Sequence, residues 1–244
     1  NVEVYIDTLV GRALPKDVIR ILILQEPYSG ELYWTVKEFP QRYTYILTYR
    51  QELLDSCSNA IKFLGSNTWI WGYSNFDKKF CISMVVGGKI KEELHGYSLR
   101  QRTWWSKELI TNPIEFYLSD NNRWAAVDYM ANLVLGTTKD PLFDSQFHIA
   151  IENLAIKNMF TEKLIDCFQA KTVPIYYGCS NIGDYFNTKG MILVNGVNDI
   201  IEACNKLTPH SYEKMLPAIE DNYNRSGEWC NYNDQVERAV RKLI

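Results

Sequence analysis

The densest chemistry in the chain lies between Phe147 and Gly178. Phe147-His148-Ile149-Ala150-Ile151 is a short apolar run that ends in Glu152-Asn153. Seven residues later comes Thr161-Glu162-Lys163, and Thr172-Val173-Pro174-Ile175-Tyr176-Tyr177-Gly178 closes the block. The pattern predicts a strand ending in polar residues, a loop, a helix opening on Thr-Glu-Lys, and a strand stopped by glycine. A helix start offers unpaired N–H groups and the positive end of its dipole, both of which favour phosphate. Lys163 in the first turn adds a full positive charge. Glu162 is an acceptor-only group suited to neighbouring ribose hydroxyls, and Asn153 offers both a donor and an acceptor. The same residue types also suit a plain helix start, with Glu162 on the dipole and Lys163 in solvent. Residue types alone do not choose between the two.

Positioning such side chains takes alternating strands and helices. Val18–Leu24 is an apolar run of strand length ending at Gln25-Glu26-Pro27, and strands are expected at Tyr43–Tyr49 and Asn59–Leu64. Asn67–Lys79 has no periodicity and is expected to link two units, 1–76 and 77–244. In the second unit strands are expected at Phe80–Val86 (closed by Gly87-Gly88), Ile114–Leu118, Phe147–Ile151, Thr172–Gly178 and Met191–Val194. Helices are expected at Ser98–Ile110, Thr161–Ala170 and from Asp199 onward. The last of these pack against the second unit or cross back onto the first. This alternation implies an α/β fold with parallel sheets, whose ligands bind beyond the carboxyl ends of the strands.

Bulk properties narrow the function. The 244 residues are 46% hydrophobic and 23% charged, an ordinary globular composition. A net charge of -3 argues against a partner bound through a nucleic-acid backbone. Sixteen Tyr and seven Trp suit a sugar or nucleotide site as readily as a core. The six cysteines form no C-x-x-C pair and are expected to be reduced thiols in a cytoplasmic setting. No apolar run is long enough to span a membrane. The chain begins at Asn1, so a removed leader or anchor stays open. The three histidines, His95, His148 and His210, are isolated, no Asp-x-Asp pair occurs, and Asp120 is followed by Asn121-Asn122. Neither a Walker loop nor a G-x-G-x-x-G follows the first strand.

The block from Phe147 to Gly178 resembles the signature of the α1,3/4-fucosyltransferases, glycosyltransferase family ten, in order, gaps and its strand-proline-glycine ending. The chain departs from it at Ile151, where the family has an aromatic, and at Met159-Phe160, where a tyrosine is common. The resemblance implies a GT-B-like fold of two Rossmann-type domains facing a cleft, the first reduced here to about 76 residues. It implies GDP-fucose as donor, with Glu162 on the ribose, Lys163 on the diphosphate and Asn153 in the donor pocket. Upstream, Met84-Val85-Val86 leads to Leu99-Arg100-Gln101-Arg102-Thr103-Trp104-Trp105, similar to a family helix whose arginine contacts the diphosphate. Arg100 and Arg102 are both eligible, with Arg100 preferred. Gln25-Glu26-Pro27 followed by Thr48-Tyr49-Arg50 resembles the segment carrying the family's general base, which makes Glu26 the expected catalytic residue and leaves Glu31 and Glu38 as fallbacks.

The reaction implied is a single inverting displacement without a metal or other cofactor, onto a hydroxyl of a glycan acceptor. Two alternatives remain at this point: a transferase of the same build using another nucleotide sugar, and a nucleotide-sugar or glycan-binding module without catalysis.

Overall fold

The computed structural model describes residues 1–9, 17–26, 30–70, 76–87, 94–119 and 133–244. Pro27, Gly88 and the Asp120-Asn121-Asn122 segment lie outside the described residues. The chain divides into two compact units, 1–65 with 156–159 and 232–244, and 66–155 with 160–231. The division therefore differs from an expected single break after residue 76. The C-terminal helix belongs with the first unit, for a reason visible in that unit's sheet.

In the first unit four parallel strands stand in the order β1 (Val2–Ile6), β2 (Ile19–Leu24), β3 (Tyr45–Thr48), β4 (Ala60–Lys62). Helices α1 (Gly30–Glu38) and α2 (Gln51–Ser56) connect the last three strands. A sheet wound steadily in one direction by right-handed crossovers receives its helices on one face. Leu32 and Val36 of α1 and Leu53 of α2 accordingly pack with Leu22, Leu24 and Ile46. Side chains alternate across a strand, so Ile21, Ile23 and Leu47 face the other way and need separate cover. Helix α7 (Tyr232–Arg241) and the residues after it supply that cover. Val236, Ala239, Val240 and Leu243, at the i, i+3, i+4, i+7 spacing of one helical face, pack on these three residues.

The second unit holds a six-stranded parallel sheet. Its strands are β5 (Lys79–Val86), β6 (Ile114–Leu118), β7 (Leu133–Val134), β8 (Ser145–Ile151), β9 (Val173–Tyr177) and β10 (Ile192–Leu193). The order across the sheet is β10-β9-β8-β5-β6-β7, so the chain winds outward from β5 in one direction and from β8 in the other. The order thus reverses between β5 and β8, and such a switch point opens a crevice at the carboxyl ends of the two strands. Helices α3 (His95–Trp105), α4 (Glu162–Gln169), α5 (Val197–Lys206) and α6 (Pro209–Ser226) complete this unit. Leu99 and Trp104 of α3, Ile200 of α5 and Ile219 of α6 join the strand residues Ile82, Met84 and Ile149 in one buried core. All six cysteines are free thiols.

A cavity at the switch point of the second unit

A cavity of about 240 Å³ occupies the crevice between β5 and β8. Val85 and Gly87 close one side at the end of β5, and the second half of β8, from His148 to Ile151, closes another. Ser119, Leu135 and four charged side chains complete the wall, the charged ones being Arg100, Lys139, Glu162 and Lys163. Three of the four are cations.

Glu162 and Lys163 arrive here because α4 starts where the β8 loop ends. Thr161 is the N-cap, its Oγ1 accepting from the Lys163 N–H at 3.4 Å. Glu152, fully buried, accepts from Thr161 N at 2.8 Å and from Thr161 Oγ1 at 2.7 Å. The sequence predicted unpaired N–H groups at this helix start. In the structure that start is partly capped from within the protein, the Lys163 N–H by Thr161 Oγ1 and the preceding Thr161 N–H by Glu152. The N-terminus of α4 still favours the Glu162 carboxylate electrostatically.

The charges are paired within the site. Lys163 Nζ lies 2.9 Å from Glu162 Oε1 and 3.8 Å from Glu152 Oε2. Burial disfavours the ionised form of Glu162, but Lys163 and Lys139 outweigh it and hold its pKa down at about 2. Burial works against the charged Lys163 too, and Glu152 and Glu162 reverse the effect, raising its pKa. Glu152 is pushed up by burial, with Lys163 opposing. Lys139 is held at 3.0 Å by the buried Asp166, whose Oδ1 also accepts from Thr68 Oγ1 and the Trp69 N–H.

Arg100 reaches the cavity from α3 and also ties down the end of β8. Its Nε and Nη2 donate to the Ile151 carbonyl at 3.1 and 2.6 Å, and Nη2 donates to Asn153 Oδ1 at 2.5 Å. The Tyr97 ring lies 4.9 Å from the guanidinium. Burial draws its pKa below the usual value while Glu152 pulls the other way. Close packing of α3 on this turn requires Gly96: a Cβ there would overlap the Glu152 carbonyl oxygen, and its N–H donates to the Asn153 carbonyl at 3.0 Å. Gly178 has a comparable constraint, since a Cβ would stand 2.6 Å from Glu152 Cγ and run into the Tyr176 hydroxyl. That glycine, expected to stop the strand, serves close approach to the buried carboxylate.

The expected site residues therefore fall in three places. Arg100, Glu162 and Lys163 converge on the cavity. Asn153 touches Arg100 rather than the cavity wall, which makes it a support for the guanidinium. Arg102, two residues along α3 and so on another side of the helix, is exposed.

Glu26 belongs to the first unit and is exposed at the end of β2, as the end-of-strand pattern predicted. Asp7, at φ 47, takes the N–H groups of Gln25 and Glu26 on its two oxygens at 2.9 and 3.1 Å. The buried Tyr49 donates to the Glu26 carbonyl at 2.9 Å. The fallbacks Glu31 and Glu38 sit at the two ends of α1 and are also exposed.

Sequence reasoning missed Glu152 as the anchor of Thr161, Lys139 as a fourth charged wall residue, and the Asp7 clamp. An acidic residue directly after an apolar strand was the one local signal for Glu152. The other two depend on contacts between residues 18 or more positions apart. Phe160, where the resemblance has tyrosine, is buried edge-on against Tyr185, Phe186 and Trp229, a setting without need of a hydroxyl.

No protein-family model matches the chain, and no curated protein matches it. Solved structures do. An α1,3-fucosyltransferase determined with GDP-fucose aligns with a TM-score of 0.55 at 16% identity, over 83% of this chain and 67% of that one. The TarM protein of S. aureus, a mutant solved with Fondaparinux, alpha-GlcNAc-glycerol and UDP, aligns with a TM-score of 0.57 at 10% identity, over 93% and 51%. The pneumococcal O-GlcNAc transferase GtfA, in complex with UDP and GlcNAc, gives 0.53 at 11% identity, over 93% and 52%. The chain thus spans about two thirds of the fucosyltransferase's length and about half of the other two. The α/β fold with two parallel sheets is that of the GT-B glycosyltransferases. Among the described residues no helix is long and apolar enough to cross a membrane.

Proposed function

We propose that this chain is a glycosyltransferase that binds a nucleotide diphosphate sugar in the switch-point cavity, with GDP-fucose as donor and a hydroxyl of a glycan as acceptor. One observation carries the proposal. The cavity at the reversal between β5 and β8 is walled by Arg100, Glu162 and Lys163, the residues that the resemblance assigns to diphosphate and ribose. A carboxylate held ionised by neighbouring lysines is a fit acceptor for two ribose hydroxyls. Lys163 and the guanidinium of Arg100 offer fixed positive charge to a diphosphate, which is the leaving group of the transfer.

In the proposed reaction the acceptor oxygen forms a bond to the anomeric carbon as the bond from that carbon to the phosphate oxygen breaks. The electron pair leaves with the nucleoside diphosphate, where Lys163 and Arg100 stabilise it. The acceptor's proton passes to Glu26, whose main chain is fixed on both sides by Asp7 and Tyr49. The positive side chains take the charge-neutralising part a metal would otherwise play, so transfer without a divalent cation belongs to the proposal.

A thermal-shift panel of GDP, GDP-fucose, GDP-mannose, UDP-glucose and UDP-galactose, without metal, tests the donor, since a ligand that binds the native state raises its melting temperature. GDP and GDP-fucose should stabilise the chain most. The UDP-bound TarM and GtfA structures share the fold to a similar degree, so a UDP-sugar is the competing donor, and its winning the panel would displace GDP-fucose. Glu26→Gln then separates transferase from binding module: turnover is lost while donor affinity stays. Unchanged turnover would remove Glu26 from the mechanism.

A further inference from the structure

His148 sits opposite Ser83 in the pairing of β8 with β5, at the floor of the switch point. It is only 5% exposed, packs on Phe143 with ring centroids 5.4 Å apart, and lines the cavity. Its Nδ1 lies 2.8 Å from Ser83 Oγ. Ser83 Oγ also lies 2.7 Å from Ser145 Oγ and 2.6 Å from the Leu142 carbonyl oxygen, and Ser145 Oγ lies 2.5 Å from that same carbonyl. A longer contact joins Ser83 Oγ to the Phe147 carbonyl at 3.5 Å.

Counting protons in the four short contacts fixes the tautomer. Each serine brings one proton, and a carbonyl oxygen accepts two hydrogen bonds. With the imidazole proton on Nδ1, three protons serve the four contacts: His148 donates to Ser83, Ser83 donates to Leu142, and Ser145 donates to Leu142 or Ser83. With the proton on Nε2, only two protons serve the same four, and two buried contacts go unmade. The first arrangement leaves one short contact without a proton and the second leaves two, and oxygen lone pairs facing each other at 2.5–2.7 Å repel, so the first is favoured. Burial, then Lys139 and Lys78, push the His148 pKa down to about 3, so the ring stays neutral. Nε2 has no hydrogen-bond partner among the described residues.

We propose that His148 presents an unprotonated Nε2 to the cavity and accepts a hydrogen bond from an N–H or O–H of the bound nucleotide sugar, which makes it a specificity-determining residue. The inference rests on the cavity being the donor site. It adds a neutral acceptor without a proton of its own beside the charged groups of the wall and the hydroxyl-bearing Ser119. Lys139, Lys163 and Arg100 attract phosphate oxygens and Glu162 suits the ribose, whereas a neutral nitrogen lone pair repels a carbonyl or phosphate oxygen and selects a base N–H or a sugar hydroxyl. Ser83, which does not itself need to touch the ligand, acts as the positioning residue by holding the tautomer.

Long-range proton–nitrogen correlation spectra of the free, labelled protein at neutral pH read the tautomer directly. His148 should show a protonated Nδ1 and a bare Nε2, and Ser83→Ala should populate the other tautomer. His148→Phe keeps the ring and removes the lone pair, so calorimetric affinity should fall about three- to ten-fold, the worth of one neutral hydrogen bond. A fall for GDP itself places the donor group on the base or ribose; a fall confined to GDP-fucose places it on the transferred sugar. Should His148→Phe fail to fold, Ser83→Ala carries the same test, with a smaller loss in affinity accompanying the tautomer change. A proton on Nε2 in the native protein, or variants that bind both ligands at native strength, would overturn the proposal. A native chain that binds neither nucleotide sinks the donor site and the ligand role with it, while the tautomer spectrum tells that failure apart from an error about His148.

Discussion

Replacing Glu162 by glutamine should make the stability of the protein depend on pH in a way that isolates the ion pair with Lys163. The carboxyl titrates at about 2 in the folded chain against an ordinary value of 4.5, and 24% of its side chain is exposed. A folded pKa below the unfolded one means stabilisation that is fully present above the unfolded value and is lost as pH falls through the folded one. At 1.36 kcal/mol per unit, this gap contributes about 3 kcal/mol at pH 7. At pH 3.5 the unfolded carboxyl is mostly protonated while the folded one is still ionised, and the contribution falls to about 2 kcal/mol.

The Glu162→Gln substitution also changes packing and the solvation of Lys163, which are nearly independent of pH. It also relieves the repulsion that helps raise the Glu152 pKa, an effect that fades as Glu152 protonates and so makes the expected change smaller. The difference between native and variant stabilities should therefore shrink by about 1 kcal/mol from pH 7 to pH 3.5. Urea unfolding followed by fluorescence of the seven tryptophans, at the two pH values for both proteins, gives that quantity. A difference that stays flat or grows on acidification would mean that Glu162 titrates normally. The site would then lack the pre-ionised carboxylate on which ribose recognition rests.

Three other substitutions probe the parts that hold the site. Gly96→Ala drives a Cβ into backbone at Glu152, which cannot swing aside as a side chain tip would, and should cost about 2–3 kcal/mol in urea unfolding. Val240→Asp places a charge on the face of α7 that covers Ile21, Ile23 and Leu47; amide exchange should quicken in β2 and β3 while β5 and β8 keep their protection. Arg100→Met should weaken nucleotide binding at least ten-fold, because it removes both a cation and the hydrogen bonds that fix Ile151 and Asn153, whereas Arg102→Met should change neither affinity nor stability by more than about 0.5 kcal/mol.

The strands that build the cavity were the most legible features. The β5 and β8 segments are nearly continuous apolar runs because both faces of a parallel strand are buried, and each falls within two residues of its expected start. Thr161 was equally plain, a threonine before an amphipathic helix. The first unit hid more. Among the described residues β1 pairs with a neighbour on one side only, and Val2, Val4 and Ile6 are all more than 40% exposed, so no continuous apolar run marks it. α1 carries Tyr33, Trp34 and Thr35 in its middle, residues of weak helix propensity, and its fold depends on Leu32 and Val36 reaching the sheet.

What the residue pattern withheld was mostly a matter of distance along the chain. The apolar face of α7 could be written down from its spacing, but which sheet it covers depended on the winding of β2, β3 and β4 more than 150 residues earlier. The ambiguity between Arg100 and Arg102 had a similar origin. Both fit the motif, and only the register of α3 against the end of β8 turns one to Ile151 and leaves the other in solvent.

The central claim is that the cavity between β5 and β8 binds a nucleoside diphosphate through its charged wall, and calorimetric titration of GDP into the native chain and into Lys163→Met tests it most directly. One GDP should bind per native chain without added metal, and the variant, though less stable because Glu162 and Glu152 lose their partner, should still unfold cooperatively and bind at least ten-fold more weakly. Equal affinity for the two proteins, or no heat with either GDP or UDP, would contradict the account.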